Sequence, residues 1–335
     1  MSRAERRFTL GLLAIEDAML SAVVGPMDII RVAGKLAQIR DPATPLRLET
    51  VLVGARGIGT VSGCGGMALG PVVSPDHPLD LLLVPGYMHA SGADAVRKLE
   101  RLGPEIELLR ALGLRGTPLA GNCCGAMLLA EAGLLDGLEA TTSWWLDGAF
   151  RQRWPQVRLN VERMVVEDGG IATTGASTAA LSYVLRVLAR EVDADLAKMT
   201  ARMLLIDPDR QSQAPYISMA LAERPRHSMS ERIEHFLKHQ LHRDISVGEL
   251  AGHCGTSERS LLRHFRQHYG VSPLAHIQHL RVERAKALLE STLLSFDEIV
   301  ERCGYSDPSS FRKLFKRATS LTPADYRERF RLRPS

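Results

Sequence analysis

The sequence predicts two folds in one chain: a doubly wound α/β domain, then an all-α domain built on a repeat. Three observations carry this. The first part alternates short apolar runs of strand length with stretches of helical spacing. The last third is helical throughout and repeats itself at a shift of 50 residues. Between them lies a segment with prolines, polar residues and no sustained period. A chain of 335 residues is long enough for two domains that each bury a core.

In order along the chain, "FTLGLLAI", "LRLETVLV", "DLLLVPG" and "TPLAG" have the length of buried parallel strands. The stretches "ADAVRKLERLGPEIELLRALG" and "GAMLLAEAGLL" between them carry helical spacing. "VRLN", "ERMVVED" and "GIATT" predict late strands, and "STAALSYVLRVLAREV" a closing helix. The expected domains are 1–204 and 229–335, with 205–228 as the linker.

Hydrophobic residues make up 45% and charged residues 24%, and no apolar run approaches the roughly 20 residues of a membrane span. The basic then apolar N-terminus resembles a signal peptide, but Glu16 and Asp17 cut the run short, so a first strand and a cytoplasmic protein are expected. Five cysteines without regular spacing fit reduced thiols. Cys64 in "SGCGGM" has neither a second ligand at metal spacing nor a phosphate-loop ending, so no metal and no cofactor are expected. Charge is uneven: residues 1–226 hold 24 Lys and Arg against 25 Asp and Glu, whereas 227–335 hold 18 against 13 and nine of the 11 histidines. A basic tail on a near-neutral body points to a polyanionic partner.

Placing 250–273 over 300–323 sets Leu250 on Val300, Ser260 on Ser310, Leu261 on Phe311, Arg263 on Lys313, Phe265 on Phe315, Arg266 on Lys316 and Pro273 on Pro323. Each copy reads as a helix-turn-helix: "SVGELAGHC" and "SFDEIVERC", a turn, then "SERSLLRHFRQH" and "DPSSFRKLFKRA". In the second copy Asp307 can cap the second helix, with Pro308 at its first position. Between the copies "HIQHLRVERAKALLEST" predicts an amphipathic helix with Leu280, Ala285, Leu288 and Leu289 on one face. In each second helix Leu261/Phe265 and Phe311/Phe315 face inward, which leaves basic residues on the other faces, where arginine can read guanine edges in a major groove.

On these residues the tail resembles the AraC/XylS-type DNA-binding domain, the signature region being "RVERAKALLESTLLSFDEIVERCGYSDPSSFRKLFKRATSLTPADYR". The resemblance implies two units on a rigid connecting helix that enter successive major grooves. By motif position Arg259, Ser260, Arg263, Ser309, Arg312 and Lys313 would face bases, with Ser310 beside them.

"TPLAGNCCGAMLLAEAGLL" reads as strand, sharp turn and helix with a nucleophile-type residue at the turn. Together with "DLLLVPGY" and "VVGPMDIIRVAG" it resembles the class I glutamine amidotransferase-like superfamily, in particular the intracellular-protease-like domains fused to AraC-type tails, which implies a flavodoxin-like sheet. By that resemblance Cys123 follows the strand as the nucleophile, Cys124 offers an amide opposite Gly86 and Tyr87, and Glu16 is a carboxylate partner. Cys124 stands where enzymatic relatives carry histidine, and Ser143 where many regulators do. Outside the tail only His77 and His89 remain as bases, His89 following the "VPGY" turn. A pocket that binds rather than catalyses is therefore expected, lined by Asn122, Cys123, Cys124, Gly86, Tyr87, Glu16 and Ser143.

The expected protein is a transcriptional regulator, with promoter DNA, a small-molecule effector, a second copy of the chain and RNA polymerase as partners, and no membrane. The alternative is a cysteine-dependent hydrolase or amidase whose tail anchors it to nucleic acid.

Overall fold

A computed structural model describes residues 6–43, 46–57, 59–207, 211–218 and 228–331. The chain divides into two compact units, Met1–Gln213 and Ala214–Ser335.

The first unit runs β1 (Arg6–Leu13), α1 (Leu20–Arg40), β2 (Leu46–Val53), β3 (Gly59–Ser62), β4 (Ala68–Val73), β5 (Leu81–Val84), α2 (Gly92–Lys98), α3 (Gly103–Leu114), β6 (Leu119–Asn122), α4 (Gly125–Glu131) and β7 (Glu139–Ala140). It continues through α5 (Asp147–Arg153), β8 (Arg158–Leu159), β9 (Val165–Asp168), β10 (Ile171–Thr174), α6 (Ala179–Glu191) and α7 (Ala194–Met203). Eight strands form one sheet in the order β3-β4-β2-β1-β5-β6-β10-β9. Its interior pairs are parallel, and only β3 and β9 run antiparallel, one at each edge. This is the doubly wound architecture the alternation predicts. The four runs become β1, β2, β5 and β6; β5 and the later part of β1 are apolar because the sheet is covered there on both faces, whereas β2, with Arg47 and Glu49, is only partly buried.

The late strands separate: "VRLN" supplies β8, which pairs with β7 in a small second sheet, while β9 and β10 close the main one. Two elements escape the sequence pattern. The glycine-rich "SGCGGM" joins β3 to β4, and α7 follows the expected closing helix α6, ending just before the expected linker at 205.

Chain order reverses at β1, which has β2 on one side and β5 on the other. In such sheets ligands bind beyond the carboxyl ends of the strands flanking the reversal. Those ends carry Glu16 after β1 and Gly86–His89 after β5, with Cys123 next along after β6.

Parts of the 205–228 segment are tied down. The Gln213 amide nitrogen lies 2.9–3.0 Å from the carbonyls of Thr142, Val161 and Arg163, within the first unit. Residues 208–210 and 219–227 lie outside the described residues.

The second unit comprises α8 (Ser228–Gln240), α9 (Val247–His253), α10 (Glu258–His268), α11 (Pro273–Ser291), α12 (Phe296–Arg302), α13 (Pro308–Thr319) and α14 (Pro323–Phe330). It has two cores, one from Leu237, Leu250, Leu261, Phe265 and Ile277, the other from Val282, Leu289, Ile299, Phe311, Phe315 and Tyr326. Helix α11 therefore does not present one apolar face. Leu280 packs on the first core and Leu288 on the second, with Ala285 and Leu289 buried in the second. The register of the repeat is also corrected. Caps Ser246 and Ser295 show that α9 and α12 match at a shift of 49, which sets Leu250 on Ile299, while α10 and α13 match at 50. The second turn carries the extra residue.

Arg281 of α11 joins the two copies. Its side chain is buried and donates to the carbonyls of Leu241 (3.2 Å) and Arg243 (2.7 Å) beyond the end of α8. Its guanidinium also lies 4.9 Å from the ring centre of Tyr305, in the second copy's turn. Gly304, at φ +76°, brings that turn against α8's end, where a Cβ would stand 2.5 Å from the Leu241 oxygen. Arg281→Ala leaves buried carbonyls without donors and is expected to destabilise the second unit by about 1–3 kcal/mol. Urea unfolding of the full chain, followed by hydrogen exchange in α8 and α12, measures this, and an unchanged transition in both helices would refute the clamp.

Candidate nucleic-acid interface and candidate effector pocket

The second helices α10 and α13 begin on strong caps. Ser257 Oγ accepts from the Ser260 amide (3.3 Å), and the Asp307 carboxylate accepts from the amides of Ser309 (2.9 Å) and Ser310 (3.1 Å) and from the Ser310 hydroxyl. The Ser310 hydroxyl, followed by those amides, holds the Asp307 carboxyl below its ordinary range. Ser260 and Ser310 occupy equivalent places in the two copies, and both hydroxyls are engaged with their caps. Arg259, Arg263, Ser309, Arg312 and Lys313 are exposed on the same helices whose other side buries Leu261 and Phe265 or Phe311 and Phe315. Arg312 is held over the Phe296 ring at 5.1 Å, which restricts its guanidinium before any partner arrives. Among the described residues, Arg259 and Arg263 form no ion pair.

The cysteines of the turns, Cys254 and Cys303, are buried in the two cores, and burial pushes the Cys303 thiol up to about 11. They pack as small apolar side chains.

In the first unit the chain turns sharply between β6 and α4. Cys123 takes the left-handed backbone at φ +55°, rare for a side-chain-bearing residue, and its amide donates to the carbonyls of Thr174 (3.0 Å) and Gly175 (2.9 Å) at the end of β10. Thr142 Oγ1 donates to the Cys123 carbonyl (2.8 Å). Gly86 passes directly over the residue, where a Cβ would stand 3.0 Å from Cys123 Cβ. This is the predicted elbow.

The sulfur of Cys123 is buried and accepts from Ser143 Oγ at 2.9 Å. Its thiol is held well below the ordinary range, first by the adjacent Cys124 side chain, then by His89 and Ser143, against the opposing effect of burial. Cys124 goes the other way. Burial, then Cys123 beside it, push its thiol up, and its sulfur lies 3.1 Å from the Tyr87 amide and 3.3 Å from the Tyr87 carbonyl. The Tyr87 amide is thus spent on Cys124 and is not left facing Cys123.

The fold brings Cys123, Cys124, Asn122, Gly86, Tyr87 and Ser143 together. Asn122 is buried and gives its amide to Thr174 Oγ1 (2.8 Å) and to the Gly175 and Ala176 carbonyls (both 3.2 Å), while its Oδ1 has no partner among the described residues. Glu16 is different. It is exposed, and its charge acts on Arg56. His89, placed by sequence at the rim, reaches the cysteines themselves. One of its ring nitrogens and both sulfurs lie within 4.8 Å of one another. Spacing could not reveal this trio, because 34 residues and two helices separate His89 from Cys123. The position after the cysteine lacks the usual histidine, yet an imidazole arrives from the loop after β5.

Ser143→Ala removes one donor to the sulfur, so the Cys123 titration, read as thiolate ultraviolet absorbance in reduced, chelator-treated protein, is expected to move to higher pH. Cys124→Ala should move it further, because it removes the largest contribution. No movement in either variant would show that these contacts do not set the ionisation.

The helix-turn-helix domain family matches residues 250–329. The HTH-type transcriptional regulator GlxA of Rhizobium meliloti is 32% identical over 223 residues, which is 66% of this chain and 68% of the relative. The HTH-type transcriptional regulator GbdR of Pseudomonas aeruginosa is 25% identical over 326 residues, 96% of this chain and 84% of the relative. Among solved structures, a protein from Vibrio parahaemolyticus covers 59% of this chain and 100% of its own at 17% identity, with a TM-score of 0.50, a likeness of fold. The paired, capped helices with their exposed basic residues and these relatives agree: the chain belongs to the AraC-type helix-turn-helix transcriptional regulators, DNA-binding proteins, here with a doubly wound α/β domain ahead of the helix-turn-helix units.

Proposed function

We propose that Arg259, Arg263, Ser309, Arg312 and Lys313 read promoter DNA, and that a small-molecule effector held at the Cys123 elbow controls this reading. The observation that carries the proposal is the α11 clamp. Nineteen residues at about 1.5 Å each give a rod of roughly 28 Å between two equivalent helices, comparable to the roughly 34 Å of one duplex turn. Two rigidly spaced helices then meet two neighbouring major grooves. At the elbow, a buried acceptor on Asn122 and a preorganised sulfur suit a polar ligand. The protein acts as a cytoplasmic homodimer at its promoter, where its occupancy alters the action of RNA polymerase.

A genome-wide binding selection with the full chain is the test. Arg263→Ala and Lys313→Ala should each weaken the selected motif by about 5- to 150-fold and relax one position of it. Affinity should fall steeply with salt, because each neutralised phosphate releases counterions. A selection that returns no motif would sink the assignment of these residues.

The closeness of His89 to the low-lying Cys123 thiol favours a second reading, a thiol hydrolase or amidase with a nucleic-acid anchor. The two readings part at Cys123→Ala. A regulator keeps its DNA motif and changes only its response to ligand, whereas a hydrolase loses turnover of amide or ester substrates.

A further inference from the structure

The elbow gathers three donor atoms of a kind that neither base reading nor an organic effector requires. The two sulfurs and one imidazole nitrogen of Cys123, Cys124 and His89 lie within 4.8 Å of one another. In a tetrahedral site with metal–sulfur bonds of about 2.3 Å and metal–nitrogen bonds of about 2.0–2.1 Å, neighbouring donors stand roughly 3.3–3.8 Å apart. The trio needs to close by about 1.0–1.5 Å at most, and His89, half-buried on the loop between β5 and α2, is the member free to move.

We infer that Cys123 Sγ, Cys124 Sγ and an imidazole nitrogen of His89 form a site for a thiophilic d10 metal ion, Zn2+ or Cu+, with a coordination position left open. Two sulfurs and an imidazole select such ions over Mg2+ or Ca2+, which require oxygen ligands. Three protein ligands with an open fourth position is the arrangement of ligand-accepting rather than purely structural zinc sites. Outer contacts are already in place. Ser143 Oγ donates to Cys123 Sγ at 2.9 Å and the Tyr87 amide to Cys124 Sγ at 3.1 Å, and both bonds can persist on metal-bound thiolates.

Binding is balanced as follows. Cys123 binds as a thiolate after giving up any thiol proton to solvent, His89 binds as neutral imidazole, and Cys124 loses its thiol proton to solvent as its sulfur–metal bond forms. That proton otherwise faces the Tyr87 carbonyl at 3.3 Å, so loading trades this hydrogen bond for a ligand bond. Because Tyr87 and His89 lie on the same loop, the ion would fix the loop over the elbow. The other cysteines do not compete for the same ion: Cys254 and Cys303 are buried in separate cores, and Cys64 is not part of the trio. The site rests on the pocket reading above and gives its occupant a chemical class, but it does not depend on DNA binding.

The test uses the full chain, reduced and stripped of metal under anaerobic conditions, then loaded with Zn2+ alone or Cu+ alone, desalted and assayed for metal. Retention of about one ion per chain in either arm is expected, and the arm that retains more tightly identifies the ion. Cys123→Ser and Cys124→Ser should lose retention and Cys64→Ser should keep it. His89→Ala should weaken affinity by more than the roughly 10- to 100-fold cost of losing an outer-shell partner. If the buried cysteine variants fail to fold, as circular dichroism would show, the His89 variant decides alone. Retention of neither ion, or retention unchanged in His89→Ala and in the folded cysteine variants, overturns the site. DNA binding by the same metal-free protein is measured in parallel, so that a lost metal site and a failed regulator reading are told apart.

Discussion

The DNA-binding half depends on one helix shared by two cores. Ile277 at one end of α11 belongs to the first core, and Val282, Ala285 and Leu289 belong to the second, so neither copy can tilt without unpacking part of the same rod. Arg281 adds a polar constraint at the junction, joining carbonyls beyond α8 to the Tyr305 ring of the second turn. A buried guanidinium is costly unless its donors are used. Here two carbonyls and a ring face use it, and the spacing of α10 and α13 is the result.

The elbow in the first unit follows a similar logic on a smaller scale. Holding Cys123 in a left-handed backbone costs on the order of 1–3 kcal/mol. Three hydrogen bonds to that one residue's backbone, from its amide to the Thr174 and Gly175 carbonyls and from Thr142 to its carbonyl, offset the cost. The sulfur is thereby aimed at Ser143 and the loop after β5. The same turn places Cys124 inward against Tyr87, and the adjacent thiols end with opposite tendencies: one lowered by its neighbours, one raised by burial. Adjacent residues of one type have acquired different chemistry through which way each faces.

The proposed function gives each of these two devices a task, reading for the tail and sensing for the elbow. The tail is a rigid ruler, and rigidity suits recognition of a fixed groove spacing. The elbow lies at the carboxyl ends of strands, where loops can adjust to a ligand while the sheet below stays fixed.

Much of this was legible in the sequence because the relevant forces are local or periodic. Strands β1, β5 and β6 show as largely apolar runs, since both their faces are covered along most of their length, and the helix-turn-helix copies show as repeated apolar, basic and proline positions. Asp307 could be placed as a cap because a cap acts within three residues of itself. The rest was decided by distance in space. The one-residue difference between the two turns is invisible to a single sliding register, and only the buried pairs Leu250 with Ile299 and the caps Ser246 and Ser295 reveal it. Arg281 reads as an ordinary surface arginine until α8's end is seen beside it. His89 reads as a loop residue until β5 and β6 pair side by side and bring its ring to Cys123. Periodicity and caps were set by neighbours along the chain, whereas the clamp and the trio exist only where strand order and helix packing bring remote segments within bonding distance.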